Sequence, residues 1–496
     1  MIRVCIPAIF LLSQVVGGAS EFDDLAKALP VGANTVLLID ADRILSTEMA
    51  KANGWGDTEK AADRPLYLPA EAEKVIVAAQ VDPMNRFSQS WEAAVISLNE
   101  SMPMRLIAKA EGGYTDTING KQAAWTPSDS YFIQLDDDTL GLMHPANKQA
   151  AARWIDGQQK AGSTLSSYLQ EAVDGMALGP HFVLALDTKD AIPAHRIHQK
   201  LTESETGLVA KHKLDLDTTV ELFTSLQGVT LDITLSDKAQ AEARIQFERT
   251  VMFGADVAKE FVLSSLTSLG ADIPGVDAWT FRVEHESIIA EGELPLPGLR
   301  RILSMVEIPT TKFSSLKDEN TETEGSAEEI ASKSLAYYQS ATKLIEDLER
   351  HSKSSSGDNY WFDRYAKKIE RLPILHVDAD LLNFGQKTAE TLRVMSGARK
   401  SANLSAGVSQ ANIGASSGDG YSGSYRSGYG RYGNYYRGSG YASSSSRASA
   451  QQRSQNAANK RFQRTATSKK IEGFRLINDA SYELRRKMTE RYDIEF

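Results

Sequence analysis

The sequence predicts an α+β fold: two tandem modules with antiparallel sheets covered by helices, followed by a helical C-terminal region with a disordered insert. The apolar run Val36–Asp40 recurs 147 residues later as Val183–Asp187, each time followed by a helical pattern. The segments 131–154 and 279–306 also share one order: strand, acidic turn, strand, proline, helix. Two modules built on one plan account for both parallels.

In the first module, Val/Ile-rich or alternating segments predict strands separated by short turns and helices. Asn119-Gly120 accepts the positive φ angles of a type I′ turn, so the segments beside it form a hairpin. Helices are expected at 41–52, with Asp42 as the cap, at 104–110, and from Pro145 to Trp154. The predicted strands are 36–40, 74–81, 91–98, 114–118, 121–125, 131–135 and 139–143.

The second module repeats this order with different residues. Leu231, Ile233 and Leu235 alternate with Asp232 and Thr234, the pattern of a half-buried strand. Predicted strands are 182–187, 228–235, 241–247, 279–283 and 288–293, and predicted helices are 192–201, 257–269 and the segment after Pro297. Whether the two modules share one sheet is open at this level.

The domain boundaries follow from changes in composition. A polar, acidic stretch ends the second module, and a segment rich in Gly, Ser, Tyr and Arg interrupts the helical tail and lacks the aliphatic residues of a core. The predicted units are a signal peptide (1–19), module 1 (20–160), module 2 (175–308), an acidic linker (309–327), a helical region (328–400), a disordered segment (401–449) and a basic C-terminal helix (450–496).

The charge is unevenly distributed along the chain. Residues 401–496 contain 15 Lys/Arg and 7 Asp/Glu, a net charge of +8, whereas the whole chain has a net charge of −10. Residues 1–400 therefore have a net charge of −18. An acidic body with a basic tail predicts that the tail contacts an anionic surface, which includes the body itself.

The N-terminus has the pattern of an export signal. Arg3 is followed by an apolar run, Val4–Val16, and by the small residues Gly17–Ser20. The run is shorter than the ~20 residues that span a bilayer, so we expect cleavage rather than anchoring and no transmembrane span in the mature chain. The one cysteine, Cys5, lies inside this segment, which excludes disulfides and thiol chemistry from a cleaved chain.

The C-terminal third resembles uncharacterised exported bacterial proteins. The residues that carry the resemblance are Trp361–Tyr365, Leu372–Leu375, Asp378–Gly385 and the closing Leu484–Thr489. Such proteins have a similar Gly/Tyr-rich insert and a basic last helix. The resemblance implies export, to the periplasm or cell surface, and a bacterial origin. It implies no activity.

Two aspartates are candidate catalytic residues because they end equivalent strands. Asp40 and Asp187 could face one cleft between the modules as acid and base, which would make the chain an envelope hydrolase. Capping of the following helix, or closing of the turn, accounts for both without a substrate. No nucleophile elbow, phosphate loop or dinucleotide fingerprint occurs in the sequence.

Metal and cofactor sites have little support. His195 and His198 are three residues apart and could share a metal on one helix face, but no third ligand is identifiable. Asp136–Asp138 and Asp378–Asp380 lack the alternation and glycine of a calcium loop and are interpreted as a turn and a helix cap. We therefore predict no cofactor and no metal.

The sequence favours an exported, non-enzymatic binding or scaffold protein of the cell envelope. The alternatives are the envelope hydrolase and a carrier of a lipid or small ligand. The partner is unknown; an envelope protein or a glycan could contact the basic Tyr/Arg-rich tail. Export removes the obvious nucleic-acid partner, so none is expected.

Overall fold

The computed structural model describes residues 21–56, 71–83, 87–111, 113–158, 165–203, 207–269, 271–305, 327–351, 359–370, 372, 376–397 and 444–496. Within them, twelve strands form one antiparallel sheet with helices on its faces. The predicted α+β class, with antiparallel pairing and a helical C-terminal region, is confirmed. The question of one sheet or two is answered: both halves belong to the same sheet.

The first half of the sheet has seven strands in the described residues. They are β1 (Thr35–Asp40), β2 (Ala72–Asp82), β3 (Ser88–Leu98), β4 (Tyr114–Ile118), β5 (Lys121–Thr126), β6 (Ser130–Gln134) and β7 (Thr139–His144). The accompanying helices are α1 (Glu21–Lys27), α2 (Ala41–Ser46), α3 (Glu48–Ala52), α4 (Met104–Glu111), α5 (Lys148–Gln158) and α6 (Ser167–Gly175).

The second half contributes five strands and is followed by the C-terminal helices. The strands are β8 (Phe182–Asp187), β9 (Leu226–Leu235), β10 (Ala239–Phe247), β11 (Thr280–Glu284) and β12 (Ser287–Glu293). The helices are α7 (Ala194–Glu203), α8 (Leu208–Lys211), α9 (Leu216–Thr224), α10 (Ala255–Leu269), α11 (Leu296–Leu303), α12 (Ala327–His351), α13 (Asn359–Glu370), α14 (379–397) and α15 (Ser444–Tyr492).

The strand order across the sheet is β11-β12-β10-β9-β8-β1-β2-β3-β7-β6-β5-β4. From the centre outward, β8-β9-β10-β12-β11 follows the same path as β1-β2-β3-β7-β6, and the first half adds the hairpin β4–β5 at its outer edge. The halves meet where β1 pairs with β8, with Leu37 opposite Leu184. Both strands are apolar because both faces of the sheet are covered at this point.

The two faces of the sheet have different cover. One face, which carries Leu37 and Ile39, packs against α2, α3, α4, α9, α10 and α11 along both halves. The other face, which carries Val36 and Leu38, packs against α1, α5 and α6 in a core confined to the first half and β8. Among the described residues, the second half is therefore covered by helices on one face only.

Local signals predicted most elements and missed some. The Asn119-Gly120 turn is confirmed, with φ angles of 47° and 80°. The predicted helix 41–52 is two short helices that meet at Thr47, and its N-cap is Asp40, which accepts a hydrogen bond from the Arg43 N–H, so the assignment of the cap to Asp42 was wrong. The helix expected from Pro145 begins at Lys148. Helices α1, α6, α8 and α9 were not predicted.

The C-terminal helices form a bundle on the outside of the second half. Aromatic and aliphatic residues of α12, α13, α14 and α15 share one core, which also includes Ala271. Leu266 of α10 packs against this core and against the sheet core, so α10 lies between the bundle and the sheet. The closing helix thus packs against the three helices before it.

Several predicted units lie outside the described residues. The export signal (1–19) is one of them, and the acidic linker (309–327) is another except for its last residue, which begins α12. The segment predicted as disordered (401–449) also lies outside them up to residue 443, and α15 begins at Ser444.

An acid–base clamp fastens the end of α15 to the start of α14. Asp378 accepts hydrogen bonds from Arg491 and from the Tyr492 hydroxyl (2.6 Å), and its other oxygen accepts from the Asp380 N–H at the start of α14 (2.8 Å). Asp380 in turn pairs with Lys487 (2.8 Å) and Arg491 (2.9 Å). The predicted capping role of this Asp-Ala-Asp segment is confirmed.

The clamp makes the attachment of α15 to α14 less stable at low pH. Burial alone would raise the pKa of Asp378, but the hydrogen bonds from Tyr492 and Arg491 outweigh it, and the pKa is lowered. A carboxylate with a lowered folded pKa contributes stability above its unfolded pKa, near 3.8, and that contribution is lost as pH falls through the folded value.

We predict that Asp378→Asn loosens α15. The free energy of unfolding at neutral pH should fall by about 1–2 kcal/mol, a value reduced for solvent screening at the partly exposed Arg491. The loss of stability on acidification below about pH 4 should also become shallower. Denaturant titrations at several pH values, with hydrogen exchange in α15, measure both effects. Asp137→Asn, in an exposed turn, is the matched control, and equal effects of the two substitutions would contradict the clamp.

Candidate binding surface

The structure does not bring Asp40 and Asp187 together. Because β1 and β8 are antiparallel, their C-terminal ends point in opposite directions: the Asp40 N–H bonds to His181, whereas the Asp187 N–H bonds to Asn34. Asn34 and Asp40 are six positions apart along β1, about 20 Å of extended chain. The two carboxylates therefore do not line one cleft.

Each aspartate has a local structural partner. Asp40 is buried, caps α2 and lies 3.7 Å from the Arg43 guanidinium, which also donates to the carbonyls of Gly179 (2.5 Å) and Pro180 (3.2 Å). Asp187 accepts a hydrogen bond from the Lys189 N–H (2.9 Å), which closes the turn after β8. These contacts match the capping and turn roles that the sequence offered as the alternative to catalysis.

The other candidates show no site geometry. His195 and His198 are both exposed on α7. Among the described residues, no three His, Cys, Asp or Glu side chains are grouped to hold a metal ion. Asp136, Asp137 and Asp138 form the exposed turn between β6 and β7. The space between sheet and helices, where a carrier would hold its ligand, is filled by the two sheet cores described above.

A charged surface lies on the second half of the sheet, on the face that no described helix covers. It is formed by alternate residues of four neighbouring strands, β9, β10, β12 and β11. We name it the acidic face. Its charged residues are Asp232, Glu242, Glu284, Glu291 and Glu293, with Arg244 and Arg282 between them.

Three carboxylates form a row across the strands. Asp232 is directly opposite Glu242, and Glu242 is directly opposite Glu291. Like charges directly opposite in an antiparallel pair are destabilising. The row is therefore not explained by the stability of the sheet.

Arg282 and Arg244 partly neutralise this row. Arg282 contacts Glu291 (2.5 Å), Glu284 (2.9 Å) and Glu242 (3.3 Å), and the hydrogen bonds to Glu291 and Glu284 raise its pKa. Arg244 contacts Glu242 at 3.1 Å. Lys238, in the turn between β9 and β10, pairs with Glu293 at 2.8 Å. Five carboxylates against two guanidinium groups and one ammonium group leave the face with a net negative charge.

Asp232 has the most perturbed carboxyl group of the acidic face. Burial, and next the neighbouring charge of Glu242, raise its pKa to about 6. The cross-strand pair thus holds one proton more readily than two isolated carboxyl groups would.

Tyr168 of α6 marks the boundary where helical cover ends. Its hydroxyl shares a hydrogen bond with that of Thr230 (2.9 Å), and burial raises its pKa to about 12. The ring lies against Gly228, where a Cβ atom would come within 2.4 Å of Tyr168 Cε1. A glycine is required here because the ring and the strand approach so closely.

The acidic face was missed by the sequence reasoning, although a signal was present. The alternation of Asp232 and Thr234 with apolar residues was noted only as a half-buried pattern. Glu242 and Arg244, and Arg282 and Glu284, show the same two-residue spacing on other strands. What the sequence does not contain is the register that places these residues side by side.

We predict that Asp232→Asn stabilises the protein. Because the folded pKa of Asp232 is raised to about 6, the free energy of unfolding falls as pH rises from about 4 to about 6 and stays lower above that range. The asparagine variant should lack this loss and be more stable by about 1–2 kcal/mol at about pH 8, a value reduced for partial exposure of the side chain.

Urea titrations at about pH 5 and pH 8 measure this effect. Asp137→Asn is the matched control and should change stability by less than about 0.5 kcal/mol. Destabilisation by Asp232→Asn at the higher pH would show that the acidic row supports the fold rather than opposing it.

Comparison with known proteins shows no family. No family model matches the chain, and no curated protein matches it. Crystal form I of TP0453 is similar with a TM-score of 0.33 and 10% identity, over 57% of this chain and 97% of that one. Crystal form III gives 0.32 and 12%, over 55% and 95%. Likeness at this level carries no conclusion about what the chain does.

Proposed function

We propose that this chain is an exported, non-enzymatic binding or scaffold protein of the cell envelope. The observation that carries the proposal is the acidic face, a four-stranded charged surface that no described helix covers, on the side of the sheet that α1, α5 and α6 cover in the first half. Asp232 lies directly opposite Glu242, which costs stability, and natural proteins retain such costs at functional surfaces. The separation of Asp40 from Asp187 removes the geometry on which the hydrolase alternative depends.

Two features support the export part of the proposal. The N-terminal pattern of Arg3, an apolar run and small residues is that of a cleaved signal. No helix of the described residues is long and apolar enough to cross a membrane.

We also infer that the two halves arose by internal duplication. Their strand orders correspond from the centre outward. The local two-fold axis passes between Leu37 and Leu184, which are equivalent residues of the recurring apolar run, since Val36 is opposite Ala185 and Leu38 is opposite Val183. A duplicated module in which only one copy is covered on both faces leaves the other copy available for binding.

Export is tested by locating the chain in a bacterial host. We expect the mature protein, without about 19 residues, in the envelope fraction. Leu11→Arg with Leu12→Arg should leave a full-length chain in the cytoplasm, because charge interrupts the apolar run. Ser13→Ala, in the same run, is the control and should be processed normally. Mass spectrometry of fractionated cells gives the result, and an uncleaved cytoplasmic wild-type chain would contradict the proposal.

A further inference from the structure

We propose that the acidic face binds the N-terminal half of α15, residues 444–470, from a second copy of this chain. The proposal rests on the binding role assigned to the face and names its occupant. The contact would join an acidic sheet surface to a basic helix, and it would explain why the chain separates its charges into a body and a tail.

The face selects a cationic partner. It presents five carboxylates against Arg244, Arg282 and the Lys238 ammonium that pairs with Glu293, and the side chains of Glu284 and Glu291 are about half exposed. Two acidic faces repel each other, so this surface does not associate with itself. A basic surface, in contrast, gains from each carboxylate that it approaches and relieves the repulsion within the row.

The N-terminal half of α15 has the complementary composition. Residues 444–470 are helical and contain seven Lys/Arg and no Asp/Glu. Arg453, Lys460 and Arg464 are spaced seven and four residues apart in the sequence, a spacing that repeats on one side of a helix. No other described helix combines this length with a complete absence of acidic residues.

The spacing of the two surfaces agrees in part. Neighbouring strands place the carboxylates of the row about 5 Å apart, and Lys460 and Arg464 lie about 6 Å apart along a helix, with Arg453 about 10 Å further on. A helix lying across β9, β10 and β12 can therefore pair Lys460 and Arg464 with neighbouring carboxylates, and Arg453 extends past the row. In the first half, helices α1, α5 and α6 cover this same side of the sheet, so the proposed contact occupies a position that a helix fills in the other half.

The helix comes from another copy rather than from its own. The C-terminal half of α15 is held along α14, from the contact of Gly473 with Met395 to the clamp at Asp378. That bundle packs outside α10, on the opposite side of the sheet from the acidic face. Residues 444–470 span about 40 Å as a helix and continue from the anchored half, so reaching the chain's own acidic face would require a break in α15.

Self-association of the full-length mature chain tests the proposal. Sedimentation at about 50 mM and 300 mM salt should show a dimer or larger assembly that dissociates as salt rises. The variant Asp232→Asn, Glu242→Gln, Glu291→Gln should weaken association at least about tenfold, and so should Arg453→Gln, Lys460→Gln, Arg464→Gln. The matched control Asp136→Asn, Asp137→Asn, Asp138→Asn removes three carboxylates elsewhere and should stay within about twofold of the wild type.

Mixing the two weakened variants distinguishes the contact from a general loss of association. The face variant retains the basic helix, and the helix variant retains the face. The mixture should therefore form one of the two contacts and associate more strongly than either variant alone. Circular dichroism of each variant shows that the fold is retained.

Three results would overturn the proposal: a monomer at every concentration at low salt, association that the face variant does not weaken, or a variant effect independent of protein concentration, which would indicate contact within one chain. None of them bears on export. An exported monomer would refute this inference while leaving the envelope role in place, whereas a self-associating cytoplasmic chain would do the reverse.

Discussion

The pairing of β1 with β8 is the constraint on which the rest of the structure depends. It joins two five-strand units, which follow the same path, into one sheet. β1 is buried throughout, and β8 is buried at Phe182, Val183 and Ala185 and partly buried at Leu184. Because the pairing is antiparallel, it also turns one half by 180° relative to the other within the sheet. Equivalent residues of the halves, such as Asp40 and Asp187, are consequently separated along the strands, and a catalytic site shared between them has no geometric basis.

In the described part of the chain, helices cover both faces of the sheet at β1 and β8 but only one face at β9, and this difference determines the residue pattern of each strand. Strands of a sheet with both faces buried are apolar throughout, whereas strands of a sheet with one face exposed alternate apolar and polar residues. β1 and β8 are of the first kind, and β9 is of the second, with Asp232 and Thr234 between Leu231, Ile233 and Leu235. Alternation alone would be satisfied by any polar residues. The placement of Asp232 directly opposite Glu242 is more specific than alternation requires, because like charges opposite each other cost stability.

Sequence reasoning succeeded where the signal is local and failed where it depends on distant contacts. The Asn119-Gly120 hairpin and the helix α10 were predictable because turn chemistry and helical periodicity reside in a few adjacent residues. Helix α6 was missed because it is short and is stabilised by packing of Leu169 and Val173 on the sheet rather than by its own pattern. The acidic face could not be assembled, since the register among β9, β10, β12 and β11 is set by tertiary pairing across a whole helix, α10.

The separation of charge into an acidic body and a basic tail determines which surfaces of two copies can associate. At physiological salt the Debye length is about 8 Å, so the opposite charges of body and tail attract measurably only where surfaces meet. Face against face and tail against tail are both repulsive, which leaves tail on face as the favourable contact.

That contact joins two different surfaces. If each copy gives its helix to the other, the pair closes as a two-fold dimer; if the exchange is one-way, the unmatched helix and face at the two ends continue the assembly. Because α15 is anchored at Asp378, its C-terminal half and the acidic face of one copy lie on opposite sides of the sheet, so that the face is left to the helix of another copy.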